Sequence, residues 1–241
     1  MALSISQTAA LGGILKTGMR IASMGYPDII APKDMIEEML NHDSGALEYR
    51  KDSEVICKRH GIQQVRIPDA HSLFELLGCE LDVYDVVQER GCEHLCDLNY
   101  PWSSILGEDG TQQKYDIVLD VGTVEHCFNI AQAMMNMAGL LKINGIIIHE
   151  NPFNCGNHGF YNLNPTWYHD FYTANGFKFL GCCLVTRDGR NVTVPHTDRF
   201  NFTQMELNVF AMAQRMKIEK MVYPVQTKYA KLIPAAGENR A

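Results

Sequence analysis

Acidic residues close three apolar segments of this sequence, in positions where they could bind a ligand. The run 80–84 ends at Asp85, the run 93–96 at Asp97, and the run 115–119 at Asp120. Ligands of open α/β sheets bind outside the carboxyl ends of the strands, where the strand order reverses. A carboxylate there accepts hydrogen bonds from hydroxyl and amine groups, and the acid after the second strand suits a ribose diol. Any single acid could equally be a solvated loop residue, but the set predicts a ligand rich in such donors.

Histidines next to the same predicted strand ends are candidates for proton transfer. His126 follows the predicted fourth strand, His149 ends the fifth, and His158 lies in the next loop. Imidazole changes charge near neutral pH, so a neutral ring can accept a proton from a substrate. Each of these histidines could also serve only as a structural hydrogen-bonding group. We take His126, His158 and the acid Glu125 as the candidate catalytic residues.

The elements that would position these residues alternate between strand and helix. A stripe of apolar residues predicts a helix over 128–142 that Asn144-Gly145 ends, and 146–148 reads as a buried strand. Shorter elements are predicted over 19–24, 32–40, 54–60 and 69–77 before it, and over 164–176, 177–186 and 207–216 after it. Asp188-Gly189 is a hairpin signal. This order predicts an α/β, Rossmann-like open twisted sheet that is mostly parallel, with an antiparallel edge strand.

Length and charge limit the possible functions. The chain has 241 residues and a formal net charge of −7, which disfavours nucleic acid and anionic membrane surfaces as partners. We expect a single domain over 1–241, with an insertion or lid at 41–68 and a C-terminal tail at 217–241. The sequence lacks a secretory signal pattern and any apolar run of about 20 residues, so its eight cysteines are expected to be reduced in a cytoplasmic protein.

The segments 115–129 (YDIVLDVGTVEHCFN) and 140–148 (LLKINGIII) carry a family resemblance. Together they resemble the class I S-adenosylmethionine-dependent methyltransferases, in which a strand with acids and a Glu-His loop precede a helix, a Lys-Gly turn and another strand. The segments 158–161 (HGFY) and 175–177 (NGF) are similar to those of one subgroup. The resemblance covers roughly residues 18–216 and is most specific over 115–177. It implies a methyltransferase that uses S-adenosylmethionine and acts on a small-molecule or sugar-like acceptor.

The same resemblance implies roles for the residues at the strand ends. Gly25 would be the glycine that the cofactor approaches closely, and Asp85 would bind the ribose hydroxyls. Asp97 and Leu98 would hold the adenine. Asp120 and Val121 would line the methionine part, and Asp28 is a candidate partner for the methionine amine.

The first motif departs from the family pattern. The segment 21–28 (IASMGYPD) has one glycine where the family has an acid followed by several glycines, and fewer glycines leave less room for the cofactor. This departure keeps a second hypothesis open, a methyltransferase-like fold that serves as a non-catalytic binding or partner subunit. A nicotinamide-dependent oxidoreductase is disfavoured, because Gly25 stands alone where that class needs Gly-x-Gly-x-x-Gly. The sequence leaves the oligomeric state open, and a homo-oligomer is possible.

Two further patterns have simpler explanations. Cys92, His94 and Cys96 alternate as strand residues would, about 6.5 Å apart, which is wide for adjacent metal ligands. We therefore predict no metal site.

The tripeptide 151–153 (NPF) resembles part of the motif of enzymes that methylate amide or base nitrogens, but it follows the fifth predicted strand and lacks a second proline. We interpret Pro152 as a loop former.

Overall fold

The computed structural model describes residues 2–42, 44–63, 66–102, 114–186, 189–201, 206–230 and 232. Its N-terminal half consists of short strands and helices. These elements are β1 (Ala2–Leu3), α1 (Ile5–Ile14), β2 (Arg20–Met24), β3 (Asp28–Ile29), α2 (Lys33–Met39), α3 (Ser53–His60), α4 (Ala70–Leu76), β4 (Glu80–Asp85) and β5 (His94–Leu95).

The C-terminal half contains the longest strands. Its elements are β6 (Tyr115–Asp120), a short 3₁₀ helix (Val124–His126), α5 (Ile130–Leu140), β7 (Leu141–Pro152), α6 (Pro165–Ala174), β8 (Phe177–Val185), β9 (Asn191–Val192), β10 (Asn208–Arg215) and α7 (Thr227–Ala230).

Within the described residues, the main sheet has eight strands in the order β5-β4-β2-β6-β7-β10-β8-β9. The first five are parallel, whereas β10 runs antiparallel to both β7 and β8, and β9 pairs antiparallel with β8. The predicted fold class, a mostly parallel α/β sheet with an antiparallel edge region, is confirmed. The chain moves outward from β2 in one direction and from β6 in the other, so the strand order reverses between these two strands.

Both faces of the parallel strands are covered, because successive residues point to opposite sides. On β6, Val118 packs in one core with Met134 and Met137 of α5, and the neighbouring Leu119 packs in a second core with Leu73 of α4. All five of these side chains are buried. The parallel part of the sheet is therefore the middle layer of three.

The helix and strand predicted over 128–148 form, but their boundary is different. The helix ends at Leu140 and β7 begins at once, so Asn144-Gly145 lies inside the strand and does not end the helix. Asn144 has a φ of +65°, and a Cβ on Gly145 would lie 3.0–3.1 Å from neighbouring atoms. The pair forms an irregularity in the pairing of β6 with β7, where the partner of Tyr115 is Leu141 and that of Ile117 is Ile146.

Helix α1 and the small parallel sheet of β1 and β3 were not predicted. Gly12 and Gly13 lie inside α1 and read as a break. The signal for this helix is the Ser4-x-x-Gln7 capping box, in which each side chain bonds the other residue's backbone N–H. This helix turns out to lie over the carboxyl ends of the central strands.

The segment predicted as an insertion or lid, 41–68, contains α3. An isolated antiparallel β-bridge between Tyr49 and Pro68 joins the two ends of this segment. Asp188 of the hairpin signal, residues 103–113 of a predicted loop, and residues 231 and 233–241 of the predicted tail lie outside the described residues. The division into domain, lid and tail stays a prediction. In the part of the chain that the structure describes, no helix has the length and apolarity of a membrane span.

Candidate active site

The strand order reverses between β2 and β6, and this is where an α/β sheet forms its ligand crevice. Gly25, directly after β2, has a φ of +83°, a conformation that side chains disfavour, so a glycine is suited to this turn. The hydroxyl of Thr123, after β6, donates to the carbonyl oxygen of Met24 at 2.6 Å. The ends of the two strands are therefore joined by a side chain.

Asp85 and Asp97 follow neighbouring strands on one side of this point. Asp85 is half-buried, and its Oδ1 accepts from the backbone N–H of Val87 at 3.2 Å. Asp97 is exposed, accepts from Asn99, and borders a cavity of about 660 Å³ that Tyr84 and Trp102 also line. Both carboxylates are thus accessible, as the adenosine assignment requires, although the roles themselves stay predictions.

The apolar candidates and Asp28 are placed differently. Leu98 is 7% exposed and Val121 is 2% exposed, and each packs in one of the two cores. Asp28 is also buried, and its two carboxylate oxygens lie 3.1 Å from Arg90 and 3.3 Å from His60. Because both oxygens have cationic or hydrogen-bonding partners inside the protein, the structure gives no support to Asp28 as the partner of a methionine amine.

Asp120 is fully buried and is bonded at both carboxylate oxygens. Its Oδ1 accepts from the backbone N–H groups of Thr123 and Val124, at 3.0 and 3.2 Å. Its Oδ2 lies 2.8 Å from Nδ1 of His149 and 2.9 Å from the side-chain nitrogen of Asn151. The side chain therefore holds the loop after β6 and the end of β7 together, and neither of its oxygens is free for a ligand.

The hydrogen bonds continue from Asp120 into a closed network, which we define as Asp120, His149, Asn151, Tyr168 and Tyr172. The Tyr172 hydroxyl bonds Nε2 of His149, and the Tyr168 hydroxyl donates to the side-chain oxygen of Asn151. Burial raises the pKa of both tyrosines, which keeps their hydroxyls protonated as donors. All five side chains are buried, so His149 is a structural hydrogen-bonding group and Asn151 does not face a substrate.

Glu125, His126 and His158 come together just outside this network, and we call them the open cluster. Oε1 of Glu125 lies 3.5 Å from Nε2 of His158 and 3.8 Å from Nε2 of His126. The two imidazole rings have centroids 5.3 Å apart. Glu125 is fully buried, whereas the histidine side chains are 50% and 52% exposed. The three candidates chosen from the sequence therefore converge, although they come from two different loops.

Local backbone geometry explains this convergence. The 3₁₀ helix turns Glu125 inward and leaves His126 at the surface. The loop after β7 returns to it, because the backbone N–H groups of Phe160 and Tyr161 both donate to the Glu125 carbonyl oxygen. A Cβ on Gly159 would lie 2.8 Å from that oxygen, so the close approach of the loop requires glycine.

The two oxygens of Glu125 have unequal surroundings. Oε2 accepts from the side-chain nitrogen of Asn151 at 2.9 Å. Oε1 is buried without a hydrogen-bond partner, since 3.5 Å is beyond the usual length of an N–H···O bond. The interaction with Glu125 raises the pKa of His158 despite the opposing effect of burial. The cluster can therefore hold a proton or a cation in front of the carboxylate.

Exposed aromatic side chains border the open cluster. Phe128 is 71% exposed and Phe160 is 64% exposed, and their rings meet edge to face with centroids 5.5 Å apart. These residues flank the two histidines in sequence and were not identified as site residues beforehand. An apolar platform beside a polar cluster is a common composition for a ligand site.

The N-terminal segment covers the neighbouring strand ends. Gln7 of α1 is fully buried and donates to the carbonyl oxygen of Asp120 at 3.0 Å. The Ser4 hydroxyl donates to Glu150, whose pKa is raised because burial disfavours its charge. Glu150 is thereby bonded to the residue that caps α1.

In the part of the chain that the structure describes, the ligand atoms of Cys92, His94 and Cys96 do not all lie within 4.8 Å of one another. His94 is exposed and lies 3.5 Å from Asp82, and burial raises the pKa of Cys96 to about 12, so that the thiol stays protonated.

A separate cavity of about 780 Å³ lies against α6 and is lined by Trp167, Phe200 and Tyr223 among others.

Comparison with known proteins gives matches in structure only. No protein-family model matches the sequence, and no curated protein is similar to it at a significant level. TehB from Haemophilus influenzae is 10% identical, with a TM-score of 0.48, over 87% of this chain and 62% of that chain. The CurJ carbon methyltransferase is 13% identical, with a TM-score of 0.45, over 86% of this chain and 51% of that chain.

A variant of the 16S rRNA (adenine(1408)-N(1))-methyltransferase from Catenulisporales acidiphilia is 8% identical, with a TM-score of 0.43, over 91% of this chain and 96% of that chain. The chain thus spans about three fifths of TehB and about half of CurJ. CurJ and the rRNA enzyme are both methyltransferases by name. At sequence identities of 8–13%, these structures are similar to this chain only in the general path of the backbone.

Proposed function

We propose that this protein is an S-adenosylmethionine-dependent methyltransferase that acts on a small-molecule or sugar-like acceptor. The observation that supports this most is the convergence of Glu125, His126 and His158 at the carboxyl ends of β6 and β7. These strand ends lie next to the reversal of strand order, where α/β sheets bind their ligands. A partly exposed acid–histidine group in this position is suited to proton transfer.

The strand-end residues fit the adenosine half of the cofactor. We assign Asp85 to the ribose hydroxyls and Asp97 to the adenine amine, because both carboxylates are accessible at the ends of adjacent strands. For the methionine half, we assign the backbone at Gly122, which has a φ of +83° and no Cβ, in place of a side-chain acid. When bound, S-adenosylmethionine supplies an activated methyl group for transfer to a nucleophile.

The open cluster would prepare the acceptor. A hydroxyl acceptor has to lose its proton as its oxygen forms the new bond to carbon, and a neutral imidazole nitrogen of His126 or His158 can accept that proton. The Glu125 carboxylate stabilises the imidazolium that results, as the raised pKa of His158 reflects. The Phe128 and Phe160 rings provide an apolar surface against which the carbon face of a sugar-like acceptor can pack.

Calorimetric titration of the full chain with S-adenosylhomocysteine tests this function. We expect stoichiometric binding, and at a ligand concentration of about 100 times Kd a stabilisation of about 2.7 kcal/mol. Asp85→Ala should weaken this binding about tenfold or more, whereas Glu75→Ala, a substitution of an exposed glutamate near the end of α4 and before β4 begins, should not. No heat and no thermal shift at millimolar ligand would rule out the proposal, and unchanged affinity in Asp85→Ala would rule out the ribose assignment.

A second candidate function is a non-catalytic binding or partner subunit with the same fold. It is favoured by the internal engagement of Asp28 and Asp120, which leaves the methionine half of the crevice without a free acid. Turnover of S-adenosylmethionine with any acceptor would eliminate this candidate. Binding of S-adenosylhomocysteine without turnover, across a panel of sugar and small-molecule acceptors, would favour it.

A further inference from the structure

We propose that Glu125, His126 and His158 bind a divalent metal ion of the zinc type, with one carboxylate oxygen and two imidazole nitrogens as ligands. In the described residues these are the three side chains of this kind whose ligand atoms all lie within 4.8 Å of one another. The role that we give the ion below rests on the proposed methyl transfer, whereas its binding does not.

The distances suit a tetrahedral ion. Metal–nitrogen and metal–oxygen bonds of zinc are about 2.0–2.2 Å, so two ligands of one tetrahedron lie roughly 3.3–3.5 Å apart. Oε1 of Glu125 lies 3.5 Å from Nε2 of His158 and 3.8 Å from Nε2 of His126. The ligand nitrogens of the two histidines lie within 4.8 Å of each other, so the two half-exposed rings have to turn toward each other to complete this geometry.

The buried oxygen of Glu125 is the second, independent observation. Glu125 is 0% exposed, and its Oε1 has no hydrogen-bond partner although it points toward both histidines. A buried polar atom without a partner is costly, and a bound cation removes that cost. The carboxylate is therefore already desolvated and aimed at the position that an ion would occupy.

The groups behind the ligands hold the carboxylate in place. Oε2 accepts from the side-chain nitrogen of Asn151, and the side-chain oxygen of Asn151 accepts from the buried Tyr168 hydroxyl. Metal ligands are commonly oriented by such outer hydrogen bonds. The closed network thus fixes the direction of Glu125 while leaving its other oxygen unused.

The exposure of the histidines leaves room for further ligands. Two histidines and one carboxylate from the protein are the ligand set of a catalytic zinc site, which keeps its fourth position open. Phe128 and Phe160 each lie two residues along the chain from one of these histidines, and their exposed rings contact each other. We assign the open position to an oxygen of the acceptor, held next to the aromatic platform.

This ion would change how the acceptor loses its proton. A metal-bound oxygen has a lowered pKa, so a coordinated hydroxyl releases its proton to a water molecule and its lone pair becomes available for the bond to carbon. With the ion bound, the ring nitrogens of His126 and His158 that face Glu125 act as ligands, and solvent takes the proton.

Titration of the chelator-treated full chain with Zn²⁺ and Co²⁺ in a calorimeter tests the site. We expect one ion per chain, and with Co²⁺ the visible absorption bands of a four- or five-coordinate ion. His126→Ala and His158→Ala should each weaken binding at least tenfold, and Glu125→Gln should do so while preserving the size of the side chain. His94→Ala removes an exposed histidine outside the cluster and should leave binding unchanged.

Absence of stoichiometric binding, or binding that is the same in the three cluster variants as in the original chain, would overturn the proposal. Titration of the same samples with S-adenosylhomocysteine separates the two claims. Cofactor binding without metal binding overturns only the metal site, and metal binding without cofactor binding supports the metal site while the proposed methyl transfer fails. Circular dichroism checks that each variant is folded. If an alanine variant does not fold, Glu125→Gln still tests the metal site.

Discussion

Two groups of acids and histidines lie side by side at the ends of β6 and β7, and they differ in how far their hydrogen bonds are satisfied. In the closed network, both carboxylate oxygens of Asp120 and both ring nitrogens of His149 have partners, and both side chains are 0% exposed. In the open cluster, Glu125 is equally buried, but one of its oxygens has only long ion-pair contacts to His126 and His158, whose side chains are half exposed. Acid and histidine side chains thus stabilise the fold in the closed network, whereas in the open cluster they are available for chemistry.

The largest effect is expected from Asp120→Ala. Removal of this carboxylate leaves His149, Asn151 and two backbone N–H groups buried without their acceptor, so we expect a loss of about 3–5 kcal/mol in the free energy of unfolding. Urea denaturation measures it. Asp97→Ala removes an exposed strand-end aspartate and should stay within about 0.5 kcal/mol. If the two variants lost the same free energy of unfolding, the buried carboxylate of Asp120 would contribute no more to stability than the exposed one of Asp97.

A smaller effect is expected from Gly159→Ala, which acts on the contact between the two loops. Its Cβ would lie 2.8 Å from the Glu125 carbonyl oxygen, so the loop that carries His158 has to move away, at a cost of about 1–3 kcal/mol. The same variant should weaken metal binding. Gly156→Ala in the same loop is the control, because its Cβ would meet no atom within 4 Å and stability should change by less than about 1 kcal/mol. Unchanged stability and metal affinity in Gly159→Ala would contradict this description of the loop.

The smallest effect is expected from single hydroxyl groups. Tyr168→Phe leaves the buried side-chain oxygen of Asn151 without its donor, so we expect a loss of about 1–2 kcal/mol. Tyr161→Phe removes a hydroxyl that donates to the Phe128 carbonyl oxygen near the surface, where water can replace it, and should cost less than about 0.5 kcal/mol. Both values come from denaturant unfolding, and a reversed order would show that the closed network contributes no more than a surface bond.

Much of the fold could be predicted because its signals are local. The alternation of apolar runs and helical stripes located β4, β6, α5, α6 and β8 with nearly correct ends. Helix α1 was missed although its Ser4–Gln7 capping box is visible in the sequence, since Gly12-Gly13 reads as a break. The early end of α5 was missed because it depends on the pairing of β7 with β6.

The site could be predicted in its residues but not in its arrangement. Glu125, His126 and His158 were selected by type and by position after strands, whereas their convergence depends on the return of the 155–161 loop onto Glu125. The engagement of Asp28 with Arg90 joins residues 62 positions apart, and nothing in the local pattern indicates it. Acids at strand ends look alike in a sequence, and only their three-dimensional partners separate Asp120 from Asp85.

The central claim is that the open cluster serves chemistry and the closed network serves stability. Urea denaturation of the double variant His126→Ala/His158→Ala tests this most directly. Because both side chains are half exposed and Oε1 of Glu125 already lacks a hydrogen-bond partner, we predict a free energy of unfolding within about 1 kcal/mol of the original chain. A loss of about 3 kcal/mol or more, the size expected for Asp120→Ala, would contradict the account, because the two histidines would then be structural groups like His149.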